Sequence, residues 1–273
     1  MLGDRTPADR DRRESLTWII LAGAATFIPL GFGLLSREYP APGTVIRDSI
    51  EYIVESAVLI AAIPSAVKIN HKLDLPGGPL VTATLNGEPL PYEWSEVVLG
   101  GLLWSVIFLL GVVAVLAVGA CLLLYFFPSL VPAIAVRPLH QMPTVKPSAI
   151  LLVSEIVTSA CLAAVGEEIL FRFVLMAVFS RLLSGFRGNS DLPPSRGQLW
   201  LANIIQACFF GLAHWKSDFH LAKGLVGLGK LLIHILDGVF LGWLYLRKGL
   251  ETSMVSHMFF DLLPLIGVPF ATK

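Results

Sequence analysis

Residues 150–179 read ILLVSEIVTSACLAAVGEEILFRFVLMAVF. Within this apolar stretch sit Glu167, Glu168 and Arg172, written EEILFR. An ionisable group inside a bilayer costs roughly 2.5–3.5 kcal/mol on insertion scales. Three together therefore require a reason, either a structural ion pair or chemistry. Which reason holds depends on what the rest of the chain brings to meet them.

The whole chain is as apolar as this stretch suggests. Of its 273 residues, 55% are hydrophobic and only 15% are charged. A soluble domain of this length cannot hide that much apolar surface, so the chain reads as an all-α polytopic transmembrane helical bundle. The formal net charge is zero, which implies no nucleic-acid or other polyanionic partner. Cys121, Cys161 and Cys208 lie in apolar runs and form no C-x-x-C pair, so they read as small packing residues.

Apolar segments fall at 17–35, 50–67, 97–127, 149–183, 200–214, 224–246 and 253–268. Most approach the length of about 20 residues that crosses a bilayer. The fourth is long enough to be one tilted helix or two half-spans broken near Gly166. Seven spans follow, or eight if it divides. Residues 1–16 mix Arg with Asp and Glu and read as a cytoplasmic tail ahead of a retained first span. The excess of Lys and Arg on one set of connections favours a cytoplasmic N-terminus. A cell (plasma) membrane is the expected location. Residues 17–127 then form N-terminal transmembrane spans, joined by a polar loop at 68–96. In that loop, Asn86-Gly87 between short β-prone runs signals a hairpin. The C-terminal unit runs from 149 to 268 and holds the remaining ionisable residues.

Helical spacing organises those residues. Glu168 and Arg172 are four apart and share a face, so they can pair. Glu167 is turned about 100° from its neighbour at 3.6 residues per turn. His257 and Asp261 repeat the four-residue spacing, as do Phe210 and His214. One carboxylate, one His from a second helix and a His/Asp pair from a third suit a buried hydrolytic site. A general base takes a proton from water, and a donor stabilises the oxyanion that develops on the substrate carbonyl. His234 and Asp237 lie close together on the sixth segment and line the same cavity or pair locally. Glu155 lies about 18 Å from Glu167 along a continuous helix, near the other membrane face or in a polar cavity. Phe210 reads as packing.

EEILFR fits E-E-x-x-x-R, FGLAH at 210–214 fits F-x-x-x-H, and HMFFD at 257–261 fits H-x-x-x-(N/D). In order and spacing, these motifs resemble the CAAX processing and bacteriocin-processing family of intramembrane proteases (CPBP, or Abi). Type II CAAX prenyl proteases belong to that family. Gly238 and Gly242, as G-x-x-x-G, add to the likeness, which covers about 149–268. The resemblance implies that Glu167 activates water together with His214. It implies that Glu168 and Arg172 are an orienting pair, and that His257 and Asp261 hold the oxyanion. Where CAAX proteases carry Asn, this chain has Asp261. An ionised Asp only accepts hydrogen bonds. Asp261 then acts when protonated, by orienting His257, or as a metal ligand. The family has been described both as metal-free glutamate proteases and as metalloproteases. No cofactor is required under the glutamate mechanism. Zinc, if used, would sit on His214, His257 and Asp261.

The expected activity is hydrolysis of a peptide bond in a membrane-associated peptide or protein, with CAAX-type substrates among the candidates. Two other readings stay open at this level. One is the same scaffold acting as a catalytically inactive interaction or immunity protein. The other is a proton-coupled transporter, although the chain lacks the internal repeats such folds usually carry.

Overall fold

The computed structural model describes residues 6–35, 42–126, 161–162, 164–186, 192–221 and 225–267. All elements among them are helical. Helix α1 spans Pro7–Leu35, α2 Pro42–Lys72, α3 Pro79–Asn86 and α4 Trp94–Phe126. A short helix α5 (Ala164–Glu168) runs into a π-helical turn (Ile169–Leu175) and then α6 (Met176–Gly185). Helices α7 (Arg196–Leu221), α8 (Leu225–Lys248) and α9 (Leu250–Gly267) follow.

Two stretches among the described residues are long and apolar enough to cross a membrane, Trp94–Gly119 in α4 and Gly227–Lys248 in α8. On α4, Leu99, Leu103, Leu110 and Val115 are exposed, which suits a helix solvated by lipid. Its inner face meets α9, where Ser105 Oγ lies 2.6 Å from Ser256 Oγ. Gly101 of α4 faces Val255, and an added Cβ would come within 2.8 Å of that side chain.

The core joins the two ends of the chain. Trp18 of α1, Ile63 of α2, Phe173 of the π turn, Tyr245 of α8 and Leu250 of α9 are all fully buried in one cluster. Trp18 and Phe173 have ring centroids 5.1 Å apart. Helix α1 begins well before the apolar run, and Glu14 and Ser15 in its early turns are buried.

Helices α7 and α8 approach most closely at their glycines. A Cβ on Gly238 would lie 2.9 Å from Ala207 Cα. A Cβ on Gly242 would overlap the Asn203 and Gln206 side-chain amides. Those amides use the closeness: Asn203 Nδ2 donates to the Val239 carbonyl at 2.9 Å, and Gln206 Nε2 to the Gly238 carbonyl at 3.0 Å.

The hairpin expected at Asn86-Gly87 does not form. Residues 79–86 are helical, and Gly87 is the helix stop, at φ 68° and ψ 26°. Its N–H returns to the Thr84 carbonyl and that of Glu88 to the Ala83 carbonyl. Left-handed geometry suits either a hairpin or a helix C-terminus. Two further features select the helix. Pro79 presets the first helical φ, and Glu251 Oε1 accepts the Val81 N–H at 2.9 Å across from α9. The polar connection at 68–96 therefore contains a capped helix. Gly166 lies within α5. Residues 127–160, on which the division of the fourth segment and the position of Glu155 depend, lie outside the described residues.

Candidate active site

The two adjacent glutamates sit in opposite environments. Glu168 is fully buried. Its Oε1 lies 2.8 Å from Arg172 Nη1 and 2.8 Å from His257 Nδ1. Its Oε2 accepts the Ser253 hydroxyl at 2.5 Å. The expected Glu168–Arg172 pair is therefore present, and it also holds His257. A carboxylate beside a buried guanidinium is an acceptor, so the proton on this side of His257 sits on Nδ1. That leaves Nε2 to face the other direction.

There it meets Glu167. His257 Nε2 is 3.7 Å from Glu167 Oε2, and His214 Nε2 is 3.8 Å from the same oxygen. Both separations exceed hydrogen-bond reach and suit a shared water. Glu167 Oε2 is buried and has no hydrogen-bond partner, although the side chain as a whole is 32% exposed. Buried polar atoms are normally satisfied; in this cluster Glu167 Oε2 and the nitrogens of the Arg172 guanidinium are the exceptions, and the guanidinium has its ion pair with Glu168 and the Phe210 ring beside it. His214 Nδ1 lies 2.9 Å from the Phe210 carbonyl. A carbonyl only accepts, so Nδ1 carries the proton and Nε2 presents its lone pair toward Glu167. The helical spacing of Phe210 and His214 is what makes this contact.

Phe210 does more than fill space. The Arg172 guanidinium carbon lies 4.5 Å from its ring centroid, a cation–π contact in a dry site. The rings of Phe171, His214 and His257 pack around it at 5.1, 4.8 and 5.6 Å. His234 stacks on His214 with centroids 4.4 Å apart and planes 20° from parallel. Asp237 lies within electrostatic reach of Arg172, His214, His257 and Asp261. His234 and Asp237 thus lie beside the same cluster of ionisable side chains.

Asp261 Oδ2 is 3.7 Å from His257 Nε2, one turn along α9. The structure accordingly brings Glu167, His214, His257 and Asp261 together, with Glu168 and Arg172 behind them. Among the described residues, no group of three or more His, Cys, Asp and Glu side chains is placed to hold a metal ion. No step of the reaction described below is routed through a metal.

Residues 149–263 match the family described as type II CAAX prenyl endopeptidase Rce1-like. No curated protein and no solved structure matches the chain. The Rce1-like domain agrees with the CPBP resemblance. The family matched is one of membrane-embedded CAAX-type proteases, which are hydrolases. Glu167, His214, His257 and Asp261 all fall inside the Rce1-like match.

Two contacts had no counterpart in the sequence reading. Ser253 precedes His257 by four residues, so extending the 257–261 spacing by one step would have placed it on the same face. Asn70 donates to the Phe173 carbonyl at 3.2 Å from a position 103 residues earlier, and no local pattern signals such a contact.

Proposed function

We propose that this protein is an intramembrane endopeptidase that hydrolyses a peptide bond of a membrane-associated, CAAX-type substrate. The observation that carries the reading is the convergence of two imidazole Nε2 atoms, from α7 and α9, on one buried and otherwise unsatisfied Glu167 oxygen.

In this reading a water between Glu167 and His214 attacks the scissile carbonyl. Its proton passes to Glu167 as the carbon–oxygen bond forms. The carbonyl oxygen becomes an oxyanion, and His257 donates to it from Nε2 while Nδ1 stays hydrogen-bonded to Glu168. Collapse of the tetrahedral intermediate breaks the C–N bond. Glu167 then returns the proton to the leaving amine. Asp261, as an acceptor beside His257 Nε2, orients that imidazole rather than donating to the oxyanion. The Arg172–Glu168 pair keeps a proton on His257 Nδ1, so the imidazole donates from Nε2 as the doubly protonated imidazolium.

The proposal includes seven or eight spans, a cytoplasmic N-terminal tail at 1–16, and residence in the cell membrane. It also treats 17–127 as N-terminal spans and 149–268 as the protease core. An inactive interaction protein would leave the convergence on Glu167 without a purpose.

The test uses full-length protein in lipid nanodiscs and a farnesylated peptide ending in a CAAX sequence. Glu167→Gln should remove cleavage and leave the melting temperature in place. Wild-type turnover by that variant would overturn the assignment. Cleavage by the wild type should persist in the presence of a zinc chelator.

A further inference from the structure

The Rce1-like match begins at residue 149, yet the turn that carries Arg172 is held from α2. Asn70, near the C-terminal end of α2, is 1% exposed. Its Nδ2 donates to the Phe173 carbonyl at 3.2 Å, inside the π turn Ile169–Leu175. Its Oδ1 accepts the Tyr245 hydroxyl at 3.3 Å, from α8. The amide is thus fixed at both ends, which decides which way round it points.

A π turn is one change of hydrogen-bond partner away from an ordinary α-helix, and such turns recur at functional sites. Here the Met176 N–H reaches back to the Phe171 carbonyl, five residues away. A return to α geometry would rotate Arg172 against Glu168. An outside donor at the Phe173 carbonyl favours one arrangement over the other. Arg172 immediately precedes Phe173 in the chain, and its guanidinium must meet the same Glu168 oxygen that holds His257.

We infer that Asn70 is a positioning residue for the reaction, fixing the π turn and through it the Arg172–Glu168–His257 chain. Residues outside the matched domain therefore belong to the working site. The inference rests on Glu167, His214 and His257 forming the hydrolytic centre.

Asn70→Leu keeps the volume and removes the donor. It should lower kcat ten- to a hundred-fold, the scale of a small misplacement of reacting groups, with KM nearly unchanged. The pH profile of kcat should shift as His257 loses its fixed partner. Hydrogen–deuterium exchange at amides 172–177 should accelerate. Tyr245→Phe, which frees the other end of the amide, should move all three readouts in the same direction by less. It carries the test if Asn70→Leu fails to fold. As a control, His71→Gln alters the neighbouring contact between α1 and α2 and should leave the pH profile and this exchange unchanged.

Wild-type kcat, pH profile and exchange in both Asn70→Leu and Tyr245→Phe would overturn the inference. Glu167→Gln is run alongside. If Glu167→Gln is inactive while the Asn70 variant behaves as wild type, only the positioning role falls. If Glu167→Gln still cleaves, the hydrolytic centre is wrong, and amide exchange alone decides whether Asn70 holds the turn.

Discussion

Glu167 and Glu168 are neighbours in sequence, and the structure treats them as opposites. Glu168 is fully buried and has a partner for each oxygen, namely Arg172 and His257 on one side and Ser253 on the other. Glu167 is partly exposed, and its buried oxygen has none. One helix thus carries a closed face and an open face roughly 100° apart. The closed face makes charge tolerable in an apolar setting. The open face leaves a carboxylate free to exchange a proton. A single glutamate could not do both, because a carboxylate saturated with donors is a poor base.

The largest expected effect breaks the open face. Glu167→Gln should reduce cleavage by about 10²–10⁴, the usual contribution of a general base, without changing thermal stability. The closed face should respond in the reverse manner. Arg172→Met strands a buried carboxylate and should destabilise the protein by about 3–5 kcal/mol, read as a lower melting temperature in nanodiscs. If Arg172→Met lost activity alone and kept its stability, the division between the two faces would not hold.

A smaller effect tests the spacing of the helices that carry the open face. Gly238→Ala places a methyl against the Ala207 backbone, and such overpacking costs about 1–3 kcal/mol. It should also slow cleavage, because His214 rides on α7. Gly229→Ala, where an added Cβ meets nothing within 4 Å, should be neutral. Equal effects at the two glycines would show that close approach is not what matters.

The smallest effect lies outside the spanning segments. His71 Nε2 is 2.8 Å from Glu14 Oε2, and Nδ1 is 2.9 Å from Asp11 Oδ1. The Glu14 hydrogen bond, with Asp11 assisting, raises the imidazole above its ordinary pKa of 6.5 against the opposing effect of burial. Only the doubly protonated ring donates to both carboxylates. The stabilisation is fully present below pH 6.5 and is lost as the pH rises through the raised value. Partial exposure limits it to under about 1 kcal/mol. Melting temperatures measured from pH 6 to pH 9 should fall slightly more for the wild type than for His71→Gln. Parallel curves would remove His71 from the account.

Much of this site was legible in the sequence because helices repeat. The four-residue spacings of 168–172, 210–214 and 257–261 each became a contact. The angle between adjacent glutamates became the division between closed and open faces. Gly238 and Gly242 likewise marked a close approach. What was not legible depended on partners far along the chain. Asn86-Gly87 carries the same left-handed signal for a turn or a helix stop. The deciding contact comes from Glu251, which no window around residue 86 contains. The π turn is silent for a similar reason, since ILFRFVL is compatible with either helix type and Asn70 arrives from elsewhere. Extending the 257–261 spacing backwards to Ser253 would have shown part of the closed face.

The amide contacts between α7 and α8 have a consequence for motion. Asn203 and Gln206 donate directly to backbone carbonyls of the facing helix. In lipid, a parted pair would find no water to replace those bonds. The two helices should therefore travel as one piece, carrying His214, His234 and Asp237 in fixed relation. Under the proposed function, a substrate peptide has to open a different seam.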